Sequence, residues 1–338
     1  MKKKRLGKTE LMVSVVGMGG IPIQRYDEKA TLDTLIACQE VGINFIDSAR
    51  AYSISEEYIG KGLKQLGREN FYLATKSMNR TKEGFYNDIL TSLKNFQTDV
   101  IDLYQIHNLG KQEDFEKIFS EDGAYQAALQ AQKEGKIKHI GVTAHIKEMA
   151  QQLIDTEKFS TLQFPFNAVE NQGVELFQRA KELDMGVIAM KPLGGGILGE
   201  VAQNAIKFIV QNDLVTVAIP GMNTPEQVRE CAEAAKQGSL SEAEQAELKK
   251  ITEEIGKDFC RRCGYCMPCT VGIDIPGVMV FEGYIKRYGL SEWAKGRYET
   301  SAVKASACIH CGVCKQRCPY GLNIPERIAW VDRYFAQM

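Results

Sequence analysis

The sequence predicts an α/β protein, a closed (β/α)8 TIM-type barrel with a small cysteine-rich domain at its C-terminal end. Three observations predict it. Short β-branched runs alternate with amphipathic stretches eight times over the first 235 residues. The first run leads into Gly17-Met18-Gly19-Gly20-Ile21-Pro22, which lacks the G-x-G-x-x-G turn of an open dinucleotide-binding sheet. Eight of the ten cysteines lie between Cys260 and Cys318.

The expected strands are Val13–Gly17, Ile43–Ile46, Phe71–Ala74, Val100–Ile106, Ile140–Thr143, Thr161–Phe164, Gly186–Met190 and Leu214–Ile219. The expected helices between and after them are Ala30–Val41, Glu56–Leu66, Phe85–Phe96, Gly123–Glu134, Ile146–Thr156, Val174–Leu183, Ala202–Gln211 and Pro225–Lys236. Alternation of this kind implies parallel strands joined by right-handed crossovers. Eight units in about 250 residues close a barrel more readily than they extend a sheet. Thr224-Pro225-Glu226-Gln227 reads as an N-cap, a proline at the first helical position and a capping-box glutamine. Ser241-Glu242-Ala243-Glu244 starts a further helix in the same way, running to about Ile255, and the domain boundary is expected near Gly256. Residues 1–255 would then form the barrel and 256–338 the tail.

Composition narrows the function. The chain is 44% hydrophobic and 25% charged, with a formal net charge of −1 and no long run of one sign, which points away from nucleic acid and charged membrane surfaces. Lys2–Arg5 precede the apolar stretch Leu11–Ile21, but Lys8, Thr9 and Glu10 separate the two and no small-x-small cleavage site follows. The stretch reads as a first barrel strand rather than a signal peptide. No segment approaches the roughly 18 apolar residues of a membrane span. A cytoplasmic protein is expected. Thiols are kept reduced there, so the clustered cysteines point to metal and not to a disulfide framework.

The tail repeats itself. Cys269-Thr270-Val271-Gly272-Ile273-Asp274-Ile275-Pro276 matches Cys318-Pro319-Tyr320-Gly321-Leu322-Asn323-Ile324-Pro325 in spacing, and each follows a three-cysteine run. The runs are Cys260-x2-Cys263-x2-Cys266-x2-Cys269 and Cys308-x2-Cys311-x2-Cys314-x3-Cys318-Pro319. Structural zinc brings C-x2-C pairs set well apart, whereas these are triplets. The second run resembles the bacterial two-cluster ferredoxins in full, implying a ferredoxin-like domain with two [4Fe-4S] clusters. In that arrangement the fourth thiolate comes from the other run. The resemblance therefore implies Cys260, Cys263, Cys266 and Cys318 on one cluster, and Cys308, Cys311, Cys314 and Cys269 on the second. The first run departs from the pattern: its last spacing is x2, and Thr270 stands where proline is usual. His310, inside the second triplet, reads as a surface loop residue.

Four chemistry-bearing residues fall at or just beyond strand ends in the barrel: Asp47 and Tyr52 after the second strand, Lys76 at the end of the third, His107 at the end of the fourth. Carboxyl ends of barrel strands share one face, so the four can meet. Singly each has an ordinary alternative as a helix cap, rim aromatic, solvated cation or satisfied histidine. From Arg5-Leu6-Gly7-Lys8-Thr9 to about Cys231 the chain resembles the aldo-keto reductase superfamily, and these four residues fall on its catalytic tetrad. The tail adds a likeness to the bacterial branch with a C-terminal 4Fe-4S domain. The resemblance implies an oxidoreductase passing hydride from a nicotinamide to a small aldehyde or ketone. Tyr52 would be the proton donor, its phenol made more acidic by the Lys76 ammonium. Asp47 would position Lys76, and His107 would orient the substrate oxygen.

Cofactor contacts follow from the same resemblance. They are expected at Gly19, Gly20, Thr143, Gln163, Met190, Lys191, Pro192, Leu193, Pro220, Gly221, Gln227 and Glu230. Thr143 and Ala144 replace a serine and an asparagine of the family pattern. Met190 stands where an aromatic ring commonly stacks on the nicotinamide. Gly221 and Gln227 replace a basic pair common in relatives, a pattern that another NADPH-using branch shares; NADP(H) is favoured over NAD(H). Hydride moves two electrons and each cluster one, and no flavin motif bridges them. The alternative is an electron-transfer protein coupling nicotinamide redox to a ferredoxin or flavoprotein partner. A non-catalytic sensor of cofactor redox state is a third reading.

Overall fold

The computed structural model describes residues 1–256 and 258–338. Ten strands are present: β1 (Lys3–Arg5), β2 (Met12–Ser14), β3 (Met18–Gly19), β4 (Phe45–Asp47), β5 (Tyr72–Ser77), β6 (Ile101–Leu109), β7 (Ile137–Ala144), β8 (Thr161–Pro165), β9 (Gly186–Met190) and β10 (Val217–Ile219). β3 to β10 form one sheet in sequence order, with every neighbouring pair parallel. Parallel bridges from Val16 to Ala218 and from Gly19 to Gly221 close the ring. Strands in such a ring are covered on both faces and so read as nearly continuous apolar runs. β4, β8, β9 and β10 are buried at every position.

The helices within and around the barrel are α1 (Glu28–Val41), α2 (Ser55–Leu66), α3 (Lys82–Phe96), α4 (Gln112–Phe119), α5 (Ala124–Lys133), α6 (Lys147–Asp155), α7 (Val174–Glu182), α8 (Ala202–Val210), α9 (Pro225–Lys236) and α10 (Glu242–Gly256). The two caps expected from sequence are made. Thr224 accepts from the Gln227 N–H at 3.4 Å, and Ser241 and Glu244 bond reciprocally at 3.3 and 2.8 Å.

Two features differ from expectation. The run at 13–17 is divided: Met12–Ser14 pairs antiparallel with Lys3–Arg5, while residues 15–17 join the ring at Ala218 ahead of Met18. The hairpin places Leu6, Leu11 and Val13 against Phe45, Leu103 and Val217, plugging the barrel at the end where its strands begin. Helix α4 is additional. It lies in the connection after β6, and its Phe119 packs edge-on against Phe115 and Tyr125 at 5.2 and 5.4 Å.

Close approach of helices explains one glycine. A Cβ added at Gly60 of α2 would lie 2.3 Å from the Asn95 carbonyl oxygen and 2.6 Å from Phe96 Cα. Both are backbone atoms of α3 and cannot swing away. Gly60→Ala should therefore destabilise the barrel by about 1–3 kcal/mol despite alanine's better helix propensity. Gly296→Ala is the control: an added Cβ there meets nothing within 4 Å, and Gly296 should be neutral or slightly stabilised by the change. Melting temperatures of the two variants check this.

The tail holds α11 (Ile275–Tyr288), α12 (Ser291–Glu299), α13 (Val313–Gln316) and α14 (Ile324–Ala336) around its own apolar cluster, including Ile273, Val278, Leu322, Ile328 and Val331. The sequence repeat is a structural one. The backbone turns left-handed at Arg262, Gly264 and Gly272 in the first copy and at His310, Gly312 and Gly321 in the second. A proline then opens α11 in the first and α14 in the second.

The tail sits over the barrel mouth. Phe259 is buried among Val169, Leu198 and Leu248 of the barrel side. Arg262 donates to the buried Glu170 at 2.6 Å, Arg261 to the Val169 carbonyl at 3.1 Å, and Arg25 to the Tyr288 carbonyl. Among the described residues no helix is long and apolar enough to cross a membrane.

Candidate active site and cysteine cradles

Asp47 is the last residue of β4 and Lys76 the penultimate residue of the neighbouring strand β5. Register brings their side chains together. Lys76 Nζ donates to Asp47 Oδ2 and, at 2.7 Å, to the Ser48 carbonyl. Gln105 Nε2 donates to the other carboxylate oxygen at 3.1 Å. The pair is buried, with 2% of Asp47 and 1% of Lys76 exposed. Burial pushes the Asp47 carboxyl up and the Lys76 ammonium down, and their mutual attraction opposes both shifts.

Tyr52 and His107 complete the group. Lys76 Nζ lies 5.1 Å from the Tyr52 ring centroid, and the Tyr52 and His107 rings meet edge to face at 6.2 Å. The expected acidification of the phenol does not follow from these surroundings. Burial raises Tyr52 above its usual value, and the Asp47 carboxylate adds to the rise. Burial is the larger cause, and the nearby ammonium is committed to Asp47 and to a carbonyl. His107 is held well below its usual value, first by burial and then by Lys76 and Arg80, so the ring is neutral near neutral pH. Its Nδ1 is buried and without a hydrogen-bond partner.

A cavity of about 1280 Å³ opens above these residues, between the barrel mouth and the tail. Asp47, Tyr52, Lys76 and His107 all line it. Ten of the twelve residues expected at a cofactor line it too: Gly19, Gly20, Gln163, Met190, Lys191, Pro192, Leu193, Pro220, Gly221 and Gln227. Thr143 and Glu230 do not. Thr143 is buried and accepts the Asn108 N–H at 2.7 Å, while Glu230 stands exposed on α9. Gln163 lies in the cavity wall with a buried carbonyl oxygen that lacks a partner, so a ligand amide can be satisfied there.

Sequence reasoning missed Gln105, which donates to Asp47 without lining the cavity, and several lining residues. Gln105 had a signal, because it precedes His107 by two on the same face of β6. Tyr284, Tyr288, Trp293 and Arg297 reach the cavity from the tail. Only the docking of the two parts brings them to it.

Cys266, Cys269, Cys308, Cys311 and Cys314 line one small cavity, and Cys263 lines the large one. Thr270, next to Cys269, lies 3.5 Å from the Cys311 sulfur. Among the described residues no three ligating side chains converge tightly enough for a single ion. His310 is exposed, as expected.

The aldo/keto reductase family model matches residues 15–201. The chain belongs to that family. A 4Fe-4S dicluster domain matches residues 259–323. Among curated relatives, an oxidoreductase of Bacillus subtilis, YqkF, is 25% identical over 75% of this chain and 97% of its own length. The NADH-specific methylglyoxal reductase of Escherichia coli is 26% identical over 75% of this chain and 99% of its own. The solved aldo-keto reductase AKR11C1 of Bacillus halodurans superposes with a TM-score of 0.65 at 22% identity, covering 74% of this chain and 96% of that one. This aldo/keto reductase is thus an oxidoreductase with an iron–sulfur type of domain laid across its barrel mouth.

Proposed function

We propose that the chain is an NAD(P)H-dependent reductase of small aldehydes or ketones, with residues 1–255 as the barrel and 256–338 as a domain holding two [4Fe-4S] clusters. The observation that carries it is the convergence of Asp47, Lys76, Tyr52 and His107 on one wall of the cavity that also gathers ten expected cofactor contacts. When bound, a reduced nicotinamide supplies hydride to the carbonyl carbon. Tyr52 hands its proton to the carbonyl oxygen as negative charge grows there. The raised phenol keeps that proton at neutral pH, and the growing alkoxide is a stronger base than the phenolate left behind. Neutral His107 holds the same oxygen by a hydrogen bond, and Asp47 fixes Lys76 beneath the phenol. Gln163 fits the nicotinamide carboxamide, and Gly19 and Gly221 allow close backbone approach. NADP(H) and NAD(H) both suit this wall, with NADP(H) favoured.

The eight tail cysteines suit iron–sulfur chemistry, since thiolate sets of this kind hold cubane clusters. The cavity that gathers Cys308, Cys311 and Cys314 also takes Cys266 and Cys269 from the first run, so a fourth thiolate from that run is at hand; the crossed assignment gives that position to Cys269, with Cys260, Cys263, Cys266 and Cys318 on the other cluster. Anaerobic purification followed by metal analysis and nucleotide titration tests the whole reading. Roughly eight iron and eight sulfide per chain are expected, with tight NADPH or NADH binding and oxidation of that nucleotide by simple aldehydes. Zinc in place of iron removes the cluster assignment, and absence of nucleotide binding removes the reductase.

A second reading draws on one observation: Cys263 lines the same cavity as Tyr52 and Met190. Electron transfer to a ferredoxin or flavoprotein partner would then show as cluster reduction by NAD(P)H only when that partner is added.

A further inference from the structure

The cavity is more positive than the chain that builds it. Eight cationic and four acidic side chains line it, whereas the whole chain carries a formal net charge of −1. Half of the cations have partners. Lys76 pairs with Asp47, Arg80 with Asp114 at 3.3 Å, and Arg262 with Glu170 at 2.6 Å, while Arg25 donates to a backbone carbonyl. Arg297 differs. Among the described residues no carboxylate lies within 4 Å of it and its guanidinium donates no hydrogen bond, although it is half-buried.

Its placement is nevertheless fixed. The guanidinium carbon lies 3.9 Å from the Trp293 ring centroid, and Trp293 in turn packs on Tyr284 at 4.4 Å. Stacking occupies a face of the guanidinium and leaves its N–H fork available to a planar anion. The fork lines the same cavity as Tyr52 and His107. Arg297's charge is felt at both Tyr52 and His107, beneath the larger effect of burial. The other end of the tail's contact is taken by Arg287 and Tyr288, which sit against Gly196 and Gly195 of the glycine loop.

We infer that Arg297, held against Trp293 by the tail, binds a carboxylate on the carbonyl substrate, so that the favoured substrates are oxo-acids with their carbonyl oxygen at Tyr52 and His107. The inference rests on the reductase reading for the carbonyl end and adds the substrate class. It also gives the tail a part in specificity, since both Arg297 and Trp293 lie in α12.

The test compares 4-oxobutanoate with butanal, which differ by the carboxylate, in the full-length holoprotein. The ratio of their kcat/KM values should favour 4-oxobutanoate, and Arg297→Gln should lower that ratio about tenfold to a hundredfold. The loss should fall on KM for 4-oxobutanoate more than on kcat. Arg297→Lys, which keeps the charge without the fork, should recover part of it. A ratio unmoved by R297Q, or an equal loss with both aldehydes, overturns the inference and leaves Arg297 a strut. Succinate titration reads the anion site without turnover. The chain has two tryptophans, so a fluorescence change on succinate binding that R297Q abolishes reports on Trp293. Absence of that response in the parent protein also overturns the inference. If neither aldehyde is reduced while succinate still binds through Arg297, the reductase reading fails and the anion site stands.

Discussion

Tyr52→Phe should lower the turnover of a small aldehyde by about 10²–10⁴-fold, the usual contribution of a positioned general acid. The structure makes this variant unusually clean. The Tyr52 hydroxyl makes no hydrogen bond among the described residues, so its removal orphans no buried partner. The ring contacts to Lys76 and His107 survive in phenylalanine. Melting temperature and nucleotide affinity should therefore stay close to the parent while the chemical step collapses, which single-turnover measurement separates from binding. The pH dependence has a definite sign. Reduction needs the protonated phenol, and burial raises its pKa, so reduction should be flat through neutrality and fall only in strongly alkaline solution. Alcohol oxidation needs the phenolate and should rise with pH over the same range. A Y52F protein within about threefold of the parent places the acid elsewhere and ends the role given to Tyr52.

Much of this site was legible because the barrel imposes simple rules on sequence. Asp47 and Lys76 close adjacent parallel strands, so alternation and strand order alone put them side by side. His107 follows from the next strand by the same rule. The repeat in the tail was readable because the constraint on it is covalent: three thiols within seven residues need the same left-handed turns in each copy, at Arg262 and Gly264 and again at His310 and Gly312. What escaped was whatever depends on packing between distant parts. The run at 13–17 has a strand's composition, but Lys3–Arg5 competes for its edge, and pairing energy does not show in a local pattern. The direction of the phenol's pKa was out of reach of the sequence for a related reason. Proximity of Lys76 was foreseen, but depth of burial and the claim of Asp47 on the ammonium set the outcome. Arg297 lies 190 residues beyond His107 in the chain, and no local spacing could have joined them.

Lys76→Met should destabilise the barrel by about 3–5 kcal/mol, because it leaves the buried Asp47 carboxylate without its cation and with neutral amide donors in its place. For a barrel of this size that is a fall in melting temperature on the order of 10 °C. Charge explains the loss better than volume, since methionine fills nearly the same space as the lysine stem. Two comparisons separate these causes. Asp47→Asn in the Lys76→Met background removes the stranded carboxylate and should restore most of the stability without restoring turnover. In K76M itself the missing ammonium no longer opposes burial, so the folded-state pKa of Asp47, already raised in the parent, rises further above its unfolded value. A carboxyl raised in this way stabilises the fold below its unfolded pKa, and that contribution is lost as pH rises through the folded one. The gap between K76M and the parent should therefore narrow as pH is lowered from about 8 to about 5.5. A gap of constant size over that range, unrelieved by Asp47→Asn, would mean that the lysine stem's packing and not its charge holds this corner of the barrel together.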